Sequence, residues 1–143
     1  MTEYRCFFKT LELTSKMLVI LIETIIILEF MAQLTLNLLQ GSVSFSFTQE
    51  AAQKLQQEID VLMQSLKAIA AKAAAGGGGR PQPQKSMEYC YTGDVFLEIF
   101  CNPNIYPNPF AAKVLITVRD DRIRITTEAE LTRLIEDLSQ FLG

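Results

Sequence analysis

The chain has 143 residues, enough for one ordinary domain or one domain with an appendage. Its 13 basic and 16 acidic side chains leave a net charge of −3, a poor basis for non-specific nucleic-acid binding, which needs clustered cations. It contains no histidine, which removes His-based triads, zincin motifs and mixed Cys/His zinc sites.

Residues 1–30 have a texture of their own. Arg5, Lys9 and Lys16 stand among acids, and then Met17-Leu-Val-Ile-Leu-Ile-Glu23-Thr-Ile-Ile-Ile-Leu-Glu29-Phe30 is almost wholly apolar, with diluted apolar character continuing to Leu39. Three readings compete. Residues 17–39 form a membrane anchor or peripheral apolar helix; residues 1–30 are an extension upstream of a true start at Met31; or they are a leader or a core helix. Glu23 and Glu29 weigh against a spanning helix, because an acid near the bilayer centre costs about 3 kcal/mol.

From Met31 the pattern changes. Leu34, Leu36 and Leu38 alternate with Thr35 and Asn37, and Val43, Phe45 and Phe47 alternate with serines beyond Gln40-Gly41-Ser42. Alternation on both sides of a glycine turn predicts a β-hairpin with one apolar face. Thr48 then offers an N-cap and Glu50 a first-turn acid. Leu55, Ile59, Leu62, Leu66 and Ile69 form one helical stripe, which packs on the protein's own sheet or offers a short seam to a partner. Residues 76–86, with four glycines followed by Arg80-Pro-Gln-Pro-Gln-Lys85, read as a linker or loop.

Met87–Thr92 and Val95–Cys101 flank Gly93-Asp94, a two-residue hairpin connection. In that register Tyr89, Tyr91, Phe96 and Phe100 share one face with Glu98, and Val95, Leu97 and Ile99 fill the other. A hairpin apolar on both faces belongs at the centre of a sheet or in an interface. The loop Asn102-Pro-Asn-Ile-Tyr-Pro-Asn-Pro109 is stiffened by its prolines and presents Ile105, Tyr106 and Phe110.

Ala112–Arg119 and Arg122–Thr126 flank Asp120-Asp121 and form a second tight hairpin. Val114, Ile116, Val118, Ile123 and Ile125 make its apolar face. Lys113, Thr117, Arg119, Arg122, Arg124 and Thr126 make the other, with Lys113, Arg119, Arg122 and Arg124 as anion-binding candidates. Thr127-Glu-Ala-Glu130 has the form of a capping box, and Leu131, Leu134, Ile135, Leu138, Phe141 and Leu142 recur at helical spacing after it.

The sequence thus predicts an α+β fold of antiparallel hairpins and two amphipathic helices in the order ββα–linker–ββββα, with residues 31–143 as one domain. Cys90 and Cys101 lie in apolar runs without a C-x-x-C and are expected as small buried hydrophobes in a cytoplasmic or other reducing compartment. No phosphate-binding glycine loop, nucleophile elbow or metal-ligand spacing occurs, so no cofactor and no metal are expected. The expectation is a non-catalytic protein that binds another protein or a second copy of itself. Its contact is the Tyr89/Tyr91/Phe96/Phe100 face, the Leu55–Ile69 stripe or the Ile105/Tyr106/Phe110 loop. The alternatives are the same domain tethered to a membrane by residues 17–39, and an anionic-ligand or nucleic-acid binder using the arginine face.

Overall fold

A computed structural model describes residues 2–76, 79 and 82–143, with side chains described from residue 11 to 26 and from 32 onward within those bounds. The chain divides into two units, Met1–Ala32 and Gln33–Gly143. The first is essentially one α-helix, α1 (Thr2–Phe30). Every described side chain from Leu11 to Ile26 is exposed. Among the described residues no helix is long and apolar enough to cross a membrane. The anchor drawn over residues 17–39 is corrected in one respect. Helix ends at Phe30, the next residues are a strand, and Leu34 and Leu36 in that strand are fully buried.

The second unit is an α+β fold with the expected order. Strands β1 (Met31–Asn37) and β2 (Ser42–Thr48) form a two-stranded sheet. Their turn is closed by the Leu38 amide donating to the Gly41 carbonyl at 2.9 Å, with Gly41 at φ +83°, where a Cβ would be strained. Helix α2 (Gln49–Ala74) starts at Thr48, whose hydroxyl accepts from the Ala51 amide at 3.1 Å. It ends where Gly76 turns left-handed at φ +63°. Its stripe Leu55, Ile59, Leu62 and Leu66 is buried in the protein's own core, so this surface is already occupied and is not free for a partner.

Strands β3 (Met87–Thr92), β4 (Phe96–Cys101), β5 (Lys113–Arg119) and β6 (Arg124–Glu130) form an antiparallel meander in that order. Helix α3 (Leu131–Leu142) follows β6 without a loop. The expected capping box is not used. Residues 127–130 continue β6, with Thr127 opposite Ile116 and Ala129 opposite Val114, and the N-cap residue Glu130 makes no side-chain cap bond. A ladder of backbone bonds outweighs one local cap, and the Leu131 amide is satisfied by the Ala112 carbonyl at 3.0 Å.

The core lies between the inner face of the meander, the two helices and the first hairpin. Tyr89, Leu97, Ile99, Val114, Ile116, Val118 and Ala129 supply the sheet side, and Leu131, Leu134 and Leu138 supply α3. Phe47 is fully buried and meets three rings edge-on: Phe45 at 6.0 Å, Tyr91 at 4.7 Å and Phe141 at 5.8 Å. Tyr89 donates its phenolic hydrogen to the Ala51 carbonyl at 2.9 Å, tying β3 to the first turn of α2. The stretch 76–86 lies partly outside the described residues, but Gln84 is fixed. Its amide donates to Asn104 Oδ1 and its carbonyl accepts from Asn104 Nδ2, each at 2.7 Å.

Asp137 is buried on α3 and accepts from Asn37 twice, from the backbone amide at 2.7 Å and from Nδ2 at 2.6 Å. These bonds fasten the end of β1 to a helix 100 residues away in sequence. Asp137→Ala strands both donors in a partly buried site, and each lost partner costs about 1–3 kcal/mol. We expect a lower urea midpoint with an unchanged m-value, and a smaller loss for Asn37→Ala, which leaves the backbone amide bond in place. An unchanged midpoint in Asp137→Ala would show that the clasp contributes nothing to stability.

Candidate functional site: the open face of the four-stranded sheet

Within this unit α2 and α3 cover only one face of the meander, and strand register decides which side chains fall on the other. In β3–β4 the pairs are Thr92 with Phe96, Tyr91 with Leu97 and Tyr89 with Ile99. The connection is therefore three residues, Gly93-Asp94-Val95, closed by the Gly93 amide on the Val95 carbonyl at 3.0 Å. The composition of the turn predicts two. One residue more in the turn shifts the register by one and exchanges the faces of one strand relative to the other. Tyr89 and Tyr91 consequently point inward with Leu97 and Ile99, and are corrected from candidate partner contacts to core residues. Tyr89 is buried and Tyr91 packs against the core. Burial raises both phenols above the ordinary tyrosine range. Gly93 is bound to this arrangement, because a Cβ there would collide with the Tyr91 phenol.

The open face is built in cross-strand rows. One row is Glu88, Phe100, Leu115 and Glu128; the next is Cys90, Glu98, Thr117 and Thr126; the third is Thr92, Phe96, Arg119 and Arg124. Phe100 and Leu115 sit side by side and are 36% and 42% exposed. Two acids flank them. A shallow depression of about 260 Å³ lies here, lined by Glu88, Glu98, Ile99, Phe100, Leu115 and Thr117. Thr117 is buried in the middle of the face, with its hydroxyl 3.3 Å from that of Thr126. Leu115 is absent from the sequence-derived candidates, although strand alternation from Lys113 and Thr117 places it on their face.

The second hairpin turn is also longer than expected. Arg119 pairs with Arg124, so the connection is Asp120 to Ile123. Four residues in place of two preserve parity, and Lys113, Thr117, Arg119, Arg124 and Thr126 do share the open face. Arg122, expected on this face, and Ile123, expected on the apolar one, are not strand residues; both belong to the turn and are exposed. Asp120 organises that turn, its Oδ1 accepting from the Arg122 and Ile123 amides at 2.8 and 2.7 Å, and these bonds hold its carboxyl below the usual range. Arg119 and Arg124 stand directly opposite each other, a like-charge pair that costs stability unless each finds compensation. Arg119 finds some by lying over the Phe96 ring at 4.5 Å. Lys113 reaches Glu128 at 3.6 Å, and Arg122 reaches Asp121 at 3.8 Å. Acids thus gather at one end of the face and arginines at the other.

The loop candidates lie apart from this face. Residues 103–105 and 109–111 form two 3-10 turns, started by Asn102 and Asn108 side chains that accept from Asn104 and Ala111 amides. Both turns pack against α2, the second also against α3, with Pro103 and Pro109 buried. Tyr106 is partly buried against the core, while Ile105 and Phe110 are exposed, Phe110 at 85%. A larger groove of about 480 Å³ runs between α2 and the start of β3, lined by residues including Glu58, Val61, Lys85 and Glu88. No nucleophile with a facing base converges in either depression. Among the described residues no three His, Cys, Asp or Glu side chains gather as a metal site requires.

No family model, curated protein or solved structure matches this chain.

The two described cysteines differ. Cys101 is 1% exposed and burial pushes its thiol up to about 11; Cys90 is exposed on the open face, which corrects the expectation that both are buried. In the folded protein at pH 8, iodoacetamide should therefore label Cys90 and spare Cys101, with Cys101 labelled only in urea, as read by peptide mass mapping. Because the folded Cys101 holds its proton more tightly than the unfolded thiol at its ordinary 9.0, stability is full below pH 9 and falls as pH rises toward 11. Cys101→Ala should flatten that alkaline slope.

Proposed function

We propose that residues 31–143 form a non-catalytic protein-binding module, an assembly, adaptor or regulatory factor, whose working surface is the open face of the four-stranded sheet. One observation carries this reading. Phe100 and Leu115 stand side by side and exposed on a sheet face that no element of this unit covers, with Glu88 and Glu128 at the two ends of their row, Glu98 in the next row and Phe96, Arg119 and Arg124 in the one beyond. An exposed apolar pair with charged residues on its flanks is the kind of patch a transient protein contact uses. The partner this fits is a protein surface with its own apolar patch and the opposite order of charge, and a second copy of the chain is one such surface. Free Cys90 and Cys101 suit a reducing compartment.

The anionic-ligand reading has less support. Carboxylates of Glu88, Glu98, Glu128 and Glu130 share the face with the cations, and Lys113 and Arg122 already have acidic neighbours. A nucleic-acid platform would need that field to be positive throughout.

The test is the double variant Phe100→Glu with Leu115→Glu in the full chain. Both positions are exposed, so the unfolding free energy from urea titration should stay within about 1 kcal/mol of the parent. We expect loss of self-association in light scattering, or loss of the protein captured from an extract of the host. Equal capture and equal mass for parent and variant would overturn this face as the contact. Salt-sensitive binding of an oligonucleotide, weakened by Arg119→Ala and Arg124→Ala, would replace the reading with the anionic one.

A further inference from the structure

Helix α1 presents an unusual surface. Leu11, Leu13, Met17, Leu18, Val19, Ile20, Leu21, Ile22, Ile25 and Ile26 are all between 48% and 69% exposed. At 3.6 residues per turn, the charged residues Glu12, Lys16 and Glu23 fall within an arc of about 40°. They form a line along the helix, with the Lys16 ammonium 3.4 Å from Glu12. The sequence extends the line, since Lys9 stands seven residues before Lys16 and Arg5 seven before Glu12. The ten large apolar residues occupy most of the remaining circumference, an arc of about 260°. The other acids, Glu3 and Glu29, are the second residue and the last but one of the helix.

The width of the apolar arc selects its covering. A partner helix covers an arc of about 100°, so a two-helix contact leaves most of this surface in water. Pairing through the charged line is worse, because it would turn the apolar side outward. A spanning helix would put Glu12, Lys16 and Glu23 at successive depths of hydrocarbon, and among the described residues no helix is long and apolar enough to cross a membrane. Lipid covers an arc of any width and leaves one line along the helix in contact with water. A second feature agrees. Off the charged line, Thr24 donates its hydroxyl to the Ile20 carbonyl at 2.7 Å and Thr14 donates to Leu11 at 3.1 Å. These hydroxyl hydrogens are satisfied within the helix and suit an apolar surrounding.

We propose that α1 lies in the plane of a bilayer surface, sunk beyond its midline, with the Glu12–Lys16–Glu23 line facing water. The acids and bases on the line nearly balance, so apolar burial rather than attraction to anionic lipid drives the contact. A zwitterionic bilayer is sufficient.

The chain has no tryptophan, so a single introduced one reports its own surroundings. With the full chain and phosphatidylcholine vesicles, Ile25→Trp should shift its emission to the blue and be quenched by lipids brominated in the acyl chains. Lys16→Trp should stay water-exposed and escape quenching. The parent should float with the vesicles. Leu18→Glu with Ile25→Glu, opposite the charged line, should cut the bound fraction about tenfold or more. Glu23→Lys, on the line, should leave it unchanged, and all variants should keep the urea midpoint of the sheet unit. Parent protein left unbound, equal quenching at positions 16 and 25, or binding that requires anionic lipid would overturn the proposal. So would a lipid-free oligomer that the two glutamates dissolve, because the covering would then be a second copy.

Discussion

Phe47 is the point on which the sheet unit depends. Its ring touches Tyr91 of the meander and Phe141 of the last helix, and its backbone belongs to the first hairpin. None of these elements has a complete core alone. A seven-residue hairpin strand buries too little to be stable in water, and a meander with one bare apolar face is no better placed. Phe47 joins them through apolar contact, and the Asp137–Asn37 bonds set the angle at which they join. Apolar packing is non-directional, so a buried carboxylate with two fixed donors adds a geometric demand that packing alone lacks. The Tyr89 bond to Ala51 does the same at the other end of the core.

Element order was legible in the sequence because period-two and period-3.6 patterns are local. The edges of α2 agree with Thr48 and the Ala-to-Gly boundary, since both caps are written in adjacent residues. Turn length was not legible, and register follows from turn length. Gly93-Asp94 is a good two-residue turn by composition, but it places Tyr89 and Tyr91 on the face opposite Leu97 and Ile99. The deciding term is burial of those four residues together, which no local signal contains. At Asp120-Asp121 the turn is two residues longer than its composition predicts, and the faces are unchanged because the period of a strand is two. The capping box at Thr127 failed for the same non-local reason: a partner strand was available and a cap competes poorly with a ladder.

The candidate site inherits those outcomes. Two of the four aromatics read as a binding face are core, and of the remaining two on the open face Phe100 is exposed while Phe96 is half-buried beneath Arg119. Cys90 shares the face through the β3–β4 register, whereas Leu115 follows from strand alternation alone. A solvent-facing antiparallel sheet ordinarily alternates apolar-in with polar-out. The rows of this face break that rule at Phe96, Phe100 and Leu115, while their neighbours Glu88, Glu98, Thr117 and Arg119 obey it. That local departure from the pattern, surrounded by conformity to it, is what supports the proposed contact surface.

The two long helices can be read by one rule. Helix α2 carries its large buried side chains Leu55, Ile59, Leu62 and Leu66 in one stripe, of the width that one packed layer covers, and that stripe is buried within the same unit. Helix α1 reverses the proportions, with one polar line and apolar residues around the rest. If both were designed for the same surroundings, α1 would need packed elements on nearly every side, and each such element would have to satisfy its own polar groups there. A bilayer imposes no such requirement, since acyl chains carry no donors or acceptors and conform to any curvature. The number of sides a helix must cover thus sets the kind of partner it takes: one side calls for a sheet, nearly all sides call for a fluid.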